Sequence, residues 1–437
     1  MNILSLFDGM ACGMLAMLKA EIQVDSYYAY EIDKYAIQTA THNFPEIQER
    51  GDVFNADFTK YADIDYLIGG SPCTYWSIAQ SPDKRETTAS GIGWELFSQY
   101  VRALHEAKPK FFIYENNKSM ATAIRQSITE TFGFEPIMIN SALVSAQNRQ
   151  RLYWVGERNA DGTYSKVDVQ QPEDRGILLR DVLDGVTDEP VNTTVYGKSQ
   201  TLKAQYSKTN ATNICCYNST YGASGVAEPV CVASRGRYSD AGSRSSKTDA
   251  PTYQHYEART DGKTNTVATV SKDNLIGEPV RCFTLPREDG VQTQSKQYRV
   301  YNIDGKTTTL CAEGGGMGAK TGMYAIPIEF DNDIPVKAVS GADGKTYTVY
   351  EVKGGNITIK GKTYPIKLVD GYYIIRKFTV SECKRLQTVP EWYEFPVRDT
   401  QAYKTLGNGW TVAVIAHLIE ATKTGKTVEK IEQLTLF

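Results

Sequence analysis

One of eight cysteines stands in the run Gly69-Gly70-Ser71-Pro72-Cys73, directly after the apolar residues 66–68. Glycines let a backbone pass close to a ligand, proline stiffens the turn, and a cysteine at a strand end is exposed. A thiolate there can add to an electrophilic carbon; the plain alternative is a turn with an incidental thiol. The next apolar run ends in Tyr114-Glu115-Asn116, an acid that is ordinarily solvated but would here share an edge with Cys73. In Gln147-Asn148-Arg149-Gln150-Arg151, strand alternation puts Gln147, Arg149 and Arg151 on one face. Such a face can grip a base edge and a phosphate, or be an ordinary solvated edge strand.

A second constellation opens the chain. The apolar residues 3–7 run into Asp8-Gly9-Met10-Ala11-Cys12-Gly13, and a later β-rich run ends in Glu31. A carboxylate about 20 residues past a Gly-bearing strand-to-helix turn is where a ribose diol is usually held. Only two turn positions are glycine, so the GxGxxG fingerprint is broken and pyrophosphate is disfavoured. An adenosyl cofactor without phosphates fits better, unless the glycines only allow a tight turn. Asp52-Val53, after a turn at Gly51, is placed to accept a hydrogen bond from an adenine amino group.

These residues need a scaffold, and the first 157 residues supply its rhythm. Apolar β-rich runs at 3–7, 26–30, 66–68, 111–114, 136–139 and 152–155 alternate with helical spacing at 12–19, 34–42, 95–105 and 121–132. That is the βαβ pattern of a mostly parallel sheet, whose ligands bind beyond the carboxyl ends of the strands. Asp8-Gly9, Glu31, Asp52, Cys73 and Glu115 all fall there. After about Asp168 the texture turns to short Thr-, Ser-, Tyr- and Gly-rich segments, expected as antiparallel β with long loops. Gly-Lys-Ser/Thr triplets at Gly197, Gly262 and Gly305 lack the earlier glycine of a phosphate loop and are expected as hairpin turns. Residues 346–375 read as a β-meander. Helical patterns return at 380–387 and 410–421, the last rejoining the first lobe.

At 437 residues the chain exceeds one ordinary core, so a composite architecture is expected. With 41% hydrophobic and 23% charged residues it reads as a soluble protein. No apolar run reaches the roughly 18 residues of a membrane span, and the N-terminus has no basic region of a signal peptide, so the cytoplasm is expected. Cys12, Cys73, Cys215, Cys216, Cys231, Cys282, Cys311 and Cys383 form no Cys-x-x-Cys, and with four histidines a zinc site has no support. The net charge of −3 runs against nucleic-acid binding, but residues 191–330 hold 16 Lys and Arg against 12 Asp and Glu. A polyanion would sit there. Arg235, Arg237, Arg244 and Arg259 are speculative contacts.

Together the motifs resemble the DNA (cytosine-5)-methyltransferase family, and in Leu4-Ser5-Leu6-Phe7-Asp8-Gly9 and Ile68-Gly69-Gly70-Ser71-Pro72-Cys73 its animal de novo branch. Further motifs run from Arg376-Lys377-Phe378-Thr379 to Gln387 and through Gly407-Asn408-Gly409-Trp410, and Tyr298-Arg299-Val300-Tyr301 leads to a Gly-rich turn at Gly314. The resemblance implies an α/β fold: a Rossmann-like S-adenosylmethionine-dependent methyltransferase domain with a mostly β target-recognition domain inserted before the C-terminal helix. The implied division is a catalytic domain at 1–170, a recognition lobe at 171–375, and C-terminal motifs at 376–437.

The implied reaction is transfer of a methyl group from S-adenosylmethionine, without a metal, to C5 of a cytosine flipped out of duplex DNA, with Cys73 adding to C6. Glu115 would hold N3, Arg151 the base carbonyl, and Arg149 the region of the sugar-phosphate. Residues carried over to the cofactor are Phe7, Asp8, Gly9, Met10, Cys12, Glu31, Ile32, Asp52, Val53, Gly70, Pro72, Leu96, Asn408, Gly409 and Trp410. Those for the substrate are Ser71, Ser77, Asn116 and Gln147, and residues 74–93 form a loop closing over the base. Two departures stand out. Glu115-Asn116-Asn117 replaces the usual Glu-Asn-Val, which would loosen the base pocket, and Gly409-Trp410 replaces the commoner Asn-Ser-Val. The expected setting is a bacterial or phage-encoded monomer, with a cognate restriction enzyme as companion if the enzyme is restriction-linked. An RNA cytosine methyltransferase and an inactive DNA-binding homologue are the rival readings.

Overall fold

The computed structural model describes residues 1–77, 83–184, 281–285, 298–303, 305–310, 323–328, 338–340, 346–359 and 361–424, and the backbone of 232–237 and 253–258. Arg244, Arg259, Gly314, the triplets at Gly197 and Gly262, and Cys215, Cys216, Cys231 and Cys311 lie outside the described residues, as do the side chains of Arg235 and Arg237.

The chain forms two compact units: Met1–Gly185 with Thr284–Tyr324 and Arg376–Phe437, and Val186–Phe283 with Ala325–Ile375. The first is built on strands β1 (Asn2–Leu6), β2 (Ser26–Tyr30), β3 (Gln48–Glu49), β4 (Tyr66–Gly69), β5 (Phe111–Asn117), β6 (Ile137–Asn140), β7 (Gln147–Asn148), β8 (Gln150–Arg158) and β9 (Tyr164–Lys166). Its main sheet runs β3-β2-β1-β4-β5-β8-β6, with β9 on β8. The first five of these pair in parallel, and β8 is antiparallel to both β5 and β6. The order reverses at β1, the switch point that opens a crevice at the strands' carboxyl ends.

Helices α1 (Cys12–Lys19), α2 (Lys34–Asn43), α3 (Gly91–Ala107) and α4 (Thr122–Phe132) connect the parallel strands. Their apolar stripes and the strands' alternate residues close a core on each face. On one, Leu4, Leu67, Phe97, Tyr100, Phe112, Tyr114 and Trp154 are buried together, and the Tyr100 hydroxyl donates to Leu67 O at 3.1 Å and Ile113 O at 2.9 Å. On the other, α1 packs on the C-terminal helix Val412–Thr424.

Four features of this unit differ from expectation. The sequence reading omits β3, whose two residues are too few to show alternation, and the helix Asp399–Asn408, whose apolar stripe is reduced to Ala402 and Leu406. Thr284–Tyr324, expected inside the recognition lobe, belongs to the first unit. The Gly305 triplet is no hairpin: Thr307–Thr308 pairs in parallel with β7, and Lys306 is buried, its ammonium donating to Ala142 O at 2.5 Å and Ile177 O at 3.1 Å.

The second unit is antiparallel where described. Thr346–Lys353 pairs with Gly371–Arg376 and with Asn356–Ile359, which pairs in turn with Lys362–Pro365. Gly354 and Gly355 turn at φ 57° and 70°, and Gly361 at 78°, the left-handed region that glycine tolerates best. In chain order the first three of these strands follow one another as the expected meander, but Gly371–Arg376 returns beside the first of them and not the third, which gives the spatial order 4-1-2-3 of a Greek key.

Candidate active site

The carboxyl ends of the parallel strands collect the expected residues. Beyond β1 the backbone is bent through the left-handed region at Phe7 (φ 57°), Gly9 (φ 64°) and Ala11 (φ 57°). Two of those residues carry a Cβ, so the turn stores strain of the kind found at ligand sites. Glu31, beyond β2, holds the turn: it accepts from Gly9 N at 2.8 Å through Oε2, and from Ile32 N at 2.7 Å and Asp33 N at 2.8 Å through Oε1. Ile32 and Phe54 are 75% and 48% exposed, two bare apolar side chains, and Asp52 accepts from Phe54 N at 3.0 Å. Val53 is buried, Leu96 half-buried, and Pro72 and Asn408 exposed.

Asp8 departs from its expected place on the cofactor. Its side chain turns inward, Oδ1 accepting from the hydroxyls of Ser5 at 2.5 Å and Tyr27 at 2.6 Å, while Oδ2 is buried with no partner. Burial pushes the carboxyl up to about 6, against the lowering effect of those two hydroxyls. Cys12 also lies behind the turn; burial pushes its thiol up to about 12, and Sγ donates to Trp410 O at 3.7 Å. Met10 is 1% exposed, and its carbonyl receives the Tyr393 hydroxyl at 2.6 Å.

Cys73 follows β4, opening a single helical turn with Thr74 and Tyr75. Gly70 brings this loop against β5, for a Cβ there would lie 2.7 Å from Glu115 O. Ser71 is buried, its hydroxyl 2.6 Å from that of Tyr114, and Asn116 donates to Ser71 O at 3.1 Å. These two therefore fasten the nucleophile loop from behind and do not face a substrate. Ser77 donates its N–H to Cys73 O at 2.9 Å. Asn117 is buried and its amide is spent, donating to Asn116 Oδ1 at 3.1 Å and accepting from Ser119 at 2.7 Å. Both ends of that amide are therefore bound within the loop.

Glu115 is gripped from two sides. Arg151 Nε lies 3.0 Å from Oε1, and Trp410 Nε1 donates to Oε2 at 3.0 Å. Burial pushes the Cys73 thiol up; Arg151 pulls it back, Glu115 pushes it up further, and Arg149 pulls it down. The other members of the Gln-x-Arg-x-Arg run are not presented to a ligand. Gln147 is fully buried, donating to Leu386 O at 3.1 Å and accepting from Leu310 N at 3.1 Å. Arg149 is buried too, donating to Gly409 O at 2.9 Å, Gly407 O at 3.3 Å and Leu310 O at 3.4 Å. The alternation fails at the break between β7 and β8, and both side chains satisfy carbonyls that would otherwise be buried unpaired.

The donor set suits a cationic adenosyl ligand. The Glu31 carboxylate over the turn and the bare Ile32 and Phe54 side chains offer negative charge beside apolar surface. Among the described residues no group of three or more His, Cys, Asp or Glu side chains is placed to hold a metal ion, and no helix is long and apolar enough to cross a membrane.

Residues 1–424 match the family model of C-5 cytosine-specific DNA methylases. The chain belongs to that family. It is 33% identical over 170 residues to the orphan methyltransferase M.SPRI of Bacillus phage SPR, covering 36% of this chain and 38% of that protein. To the type II methyltransferase M1.ScrFI of Lactococcus lactis subsp. cremoris it is 30% identical over 199 residues, covering 43% and 50%. The match thus spans half or less of these relatives' lengths. The methyltransferase EhMeth of Entamoeba histolytica superposes with a TM-score of 0.50 at 13% identity, covering 96% of this C5 methylase-family chain and 97% of that one, a likeness of fold.

Proposed function

We propose that this chain is a DNA cytosine C5 methyltransferase that works through a covalent Cys73 adduct, using S-adenosylmethionine bound at Phe7–Gly9, Glu31, Ile32, Asp52 and Val53. The observation that carries the reading is the grouping of a partly exposed thiol with the Arg151–Glu115 pair at the carboxyl edge of a methylase-family sheet. Cytosine C5 is a poor nucleophile until something adds to C6. Cys73 makes that addition, Glu115 supplies a proton at N3, and Arg151 supports both Glu115 and the base carbonyl. The cofactor, when bound, supplies an electrophilic methyl group. Loss of the C5 proton and departure of Cys73 restore the ring. The base leaves the duplex to reach this edge. Arg149, Gln147, Ser71 and Asn116 act behind the site by holding its backbone.

Duplex DNA carrying 5-fluorocytosine, mixed with protein and S-adenosylmethionine, tests this. A denaturant-stable adduct is expected with the unaltered chain and none with Cys73→Ala, which still binds cofactor. Methyl transfer to transfer RNA alone, with none to DNA, defeats the reading; bisulfite sequencing of DNA from expressing cells identifies the modified cytosine.

A further inference from the structure

The indole of Trp410 is not fully explained as a wall of the cofactor pocket. Its N–H is spent on Oε2 of Glu115, at 3.0 Å, while Arg151 lies 3.0 Å from the other oxygen. Both members of the ion pair are 12% exposed, so the carboxyl has little water to share its charge with. The backbone that carries the indole is also held firmly. Arg149 and Gln387 donate to Gly409 O at 2.9 and 3.2 Å, Gly409 N donates to Thr405 O at 2.8 Å, and Cys12 Sγ reaches Trp410 O. Gly409 itself admits little more, since a Cβ there would lie 3.1 Å from Cys12 Sγ.

The two donors differ in kind. A guanidinium favours negative charge on the oxygen it faces, whereas a neutral indole N–H uses one lone pair and leaves the oxygen free to carry a proton. We infer that Trp410 is a positioning residue for the reaction: it fixes the carboxyl plane of Glu115 and makes Oε2 the oxygen that delivers the proton to cytosine N3. This rests on the proposed function. As the Cys73 Sγ–C6 bond forms, the C5=C6 pair moves to C4–C5. The C4=N3 pair moves to N3, which takes the proton from Oε2, while Oε1 stays paired with Arg151. Without the indole N–H the carboxyl can rotate about its last bond, and the proton is no longer held toward the ring.

Trp410→Phe keeps an aromatic ring and removes the donor; Trp410→His restores an N–H on a smaller ring. Three measurements separate the roles: turnover on duplex DNA, the dissociation constant for S-adenosylmethionine by calorimetry, and tritium release from C5-tritiated cytosine in DNA. The expected result for Trp410→Phe is turnover and tritium release down by about tenfold or more, with cofactor affinity within about threefold and the histidine variant recovering part of the loss. Turnover unchanged within twofold overturns the inference. So does a loss that tracks weakened cofactor binding, or one that histidine does not recover, since either makes Trp410 a wall only. An unaltered chain that is inert on DNA in the same assays defeats the proposed function instead, and this inference with it.

Discussion

Cys73 is set up to be protonated at rest. Its ordinary value is 9.0, and burial and Glu115 raise it while Arg151 and Arg149 pull it down. The thiolate fraction therefore increases with pH and has not levelled off by the ordinary value. Alkylation of Cys73 by iodoacetamide, followed by mass spectrometry, is expected to accelerate up to and beyond pH 9. Because Arg151 is the largest of the influences that favour the thiolate, Arg151→Gln slows alkylation further at pH 8. A plateau at or below pH 8, or no slowing in the variant, contradicts this account. The sequence marks this residue well, because glycine, proline and cysteine act locally. It marks Asp8 badly: the inward turn depends on hydroxyls of Ser5 and Tyr27 that only the folded sheet brings near.

At the scale of elements, the nucleophile loop and β5 are held at a separation that only glycine permits. A Cβ on Gly70 would meet Glu115 O at 2.7 Å and Oε2 at 2.9 Å, one backbone atom and one oxygen of the proposed proton donor. Gly70→Ala is expected to cost about 1–3 kcal/mol of stability as an overpacking change, and to lower turnover by more than its effect on folding accounts for. Denaturant unfolding set beside single-turnover methylation checks this; an active variant of unchanged stability counts against it. The parallel strands were legible because apolar runs and their spacing are local signals. The roles of Gln147 and Arg149 were not, because their partners Leu386, Gly407 and Gly409 come from the far end of the chain. Nor was Trp410 on Glu115: the replacement of Asn-Ser-Val was visible, but not where the indole reaches.

Across the whole molecule, the first unit is assembled from three stretches of chain, left after Gly185 and regained for the last time at Arg376. A buried ionic network joins the exit and the return. Arg376 is paired with Glu382 at 2.5 Å, the two side chains 7% and 0% exposed; Glu382 Oε1 accepts from Asp184 N at 2.7 Å, and Arg385 lies 2.8 Å from Asp184. Glu382→Ala strands the Arg376 charge in the interior, so a loss of about 3–5 kcal/mol is expected in denaturant unfolding; a loss under about 1 kcal/mol rules out a structural role for the network. The sequence shows that helical pattern and its motif, but not that both ends of an excursion meet there.

The contact between Glu115 and Trp410 joins residues 295 positions apart. At ribosomal speeds of roughly 5–20 residues per second, Trp410 is added about 15–60 s after Glu115. A nascent chain that already bears Cys73 and Glu115 therefore lacks the indole that hydrogen-bonds Glu115 until synthesis has passed Trp410.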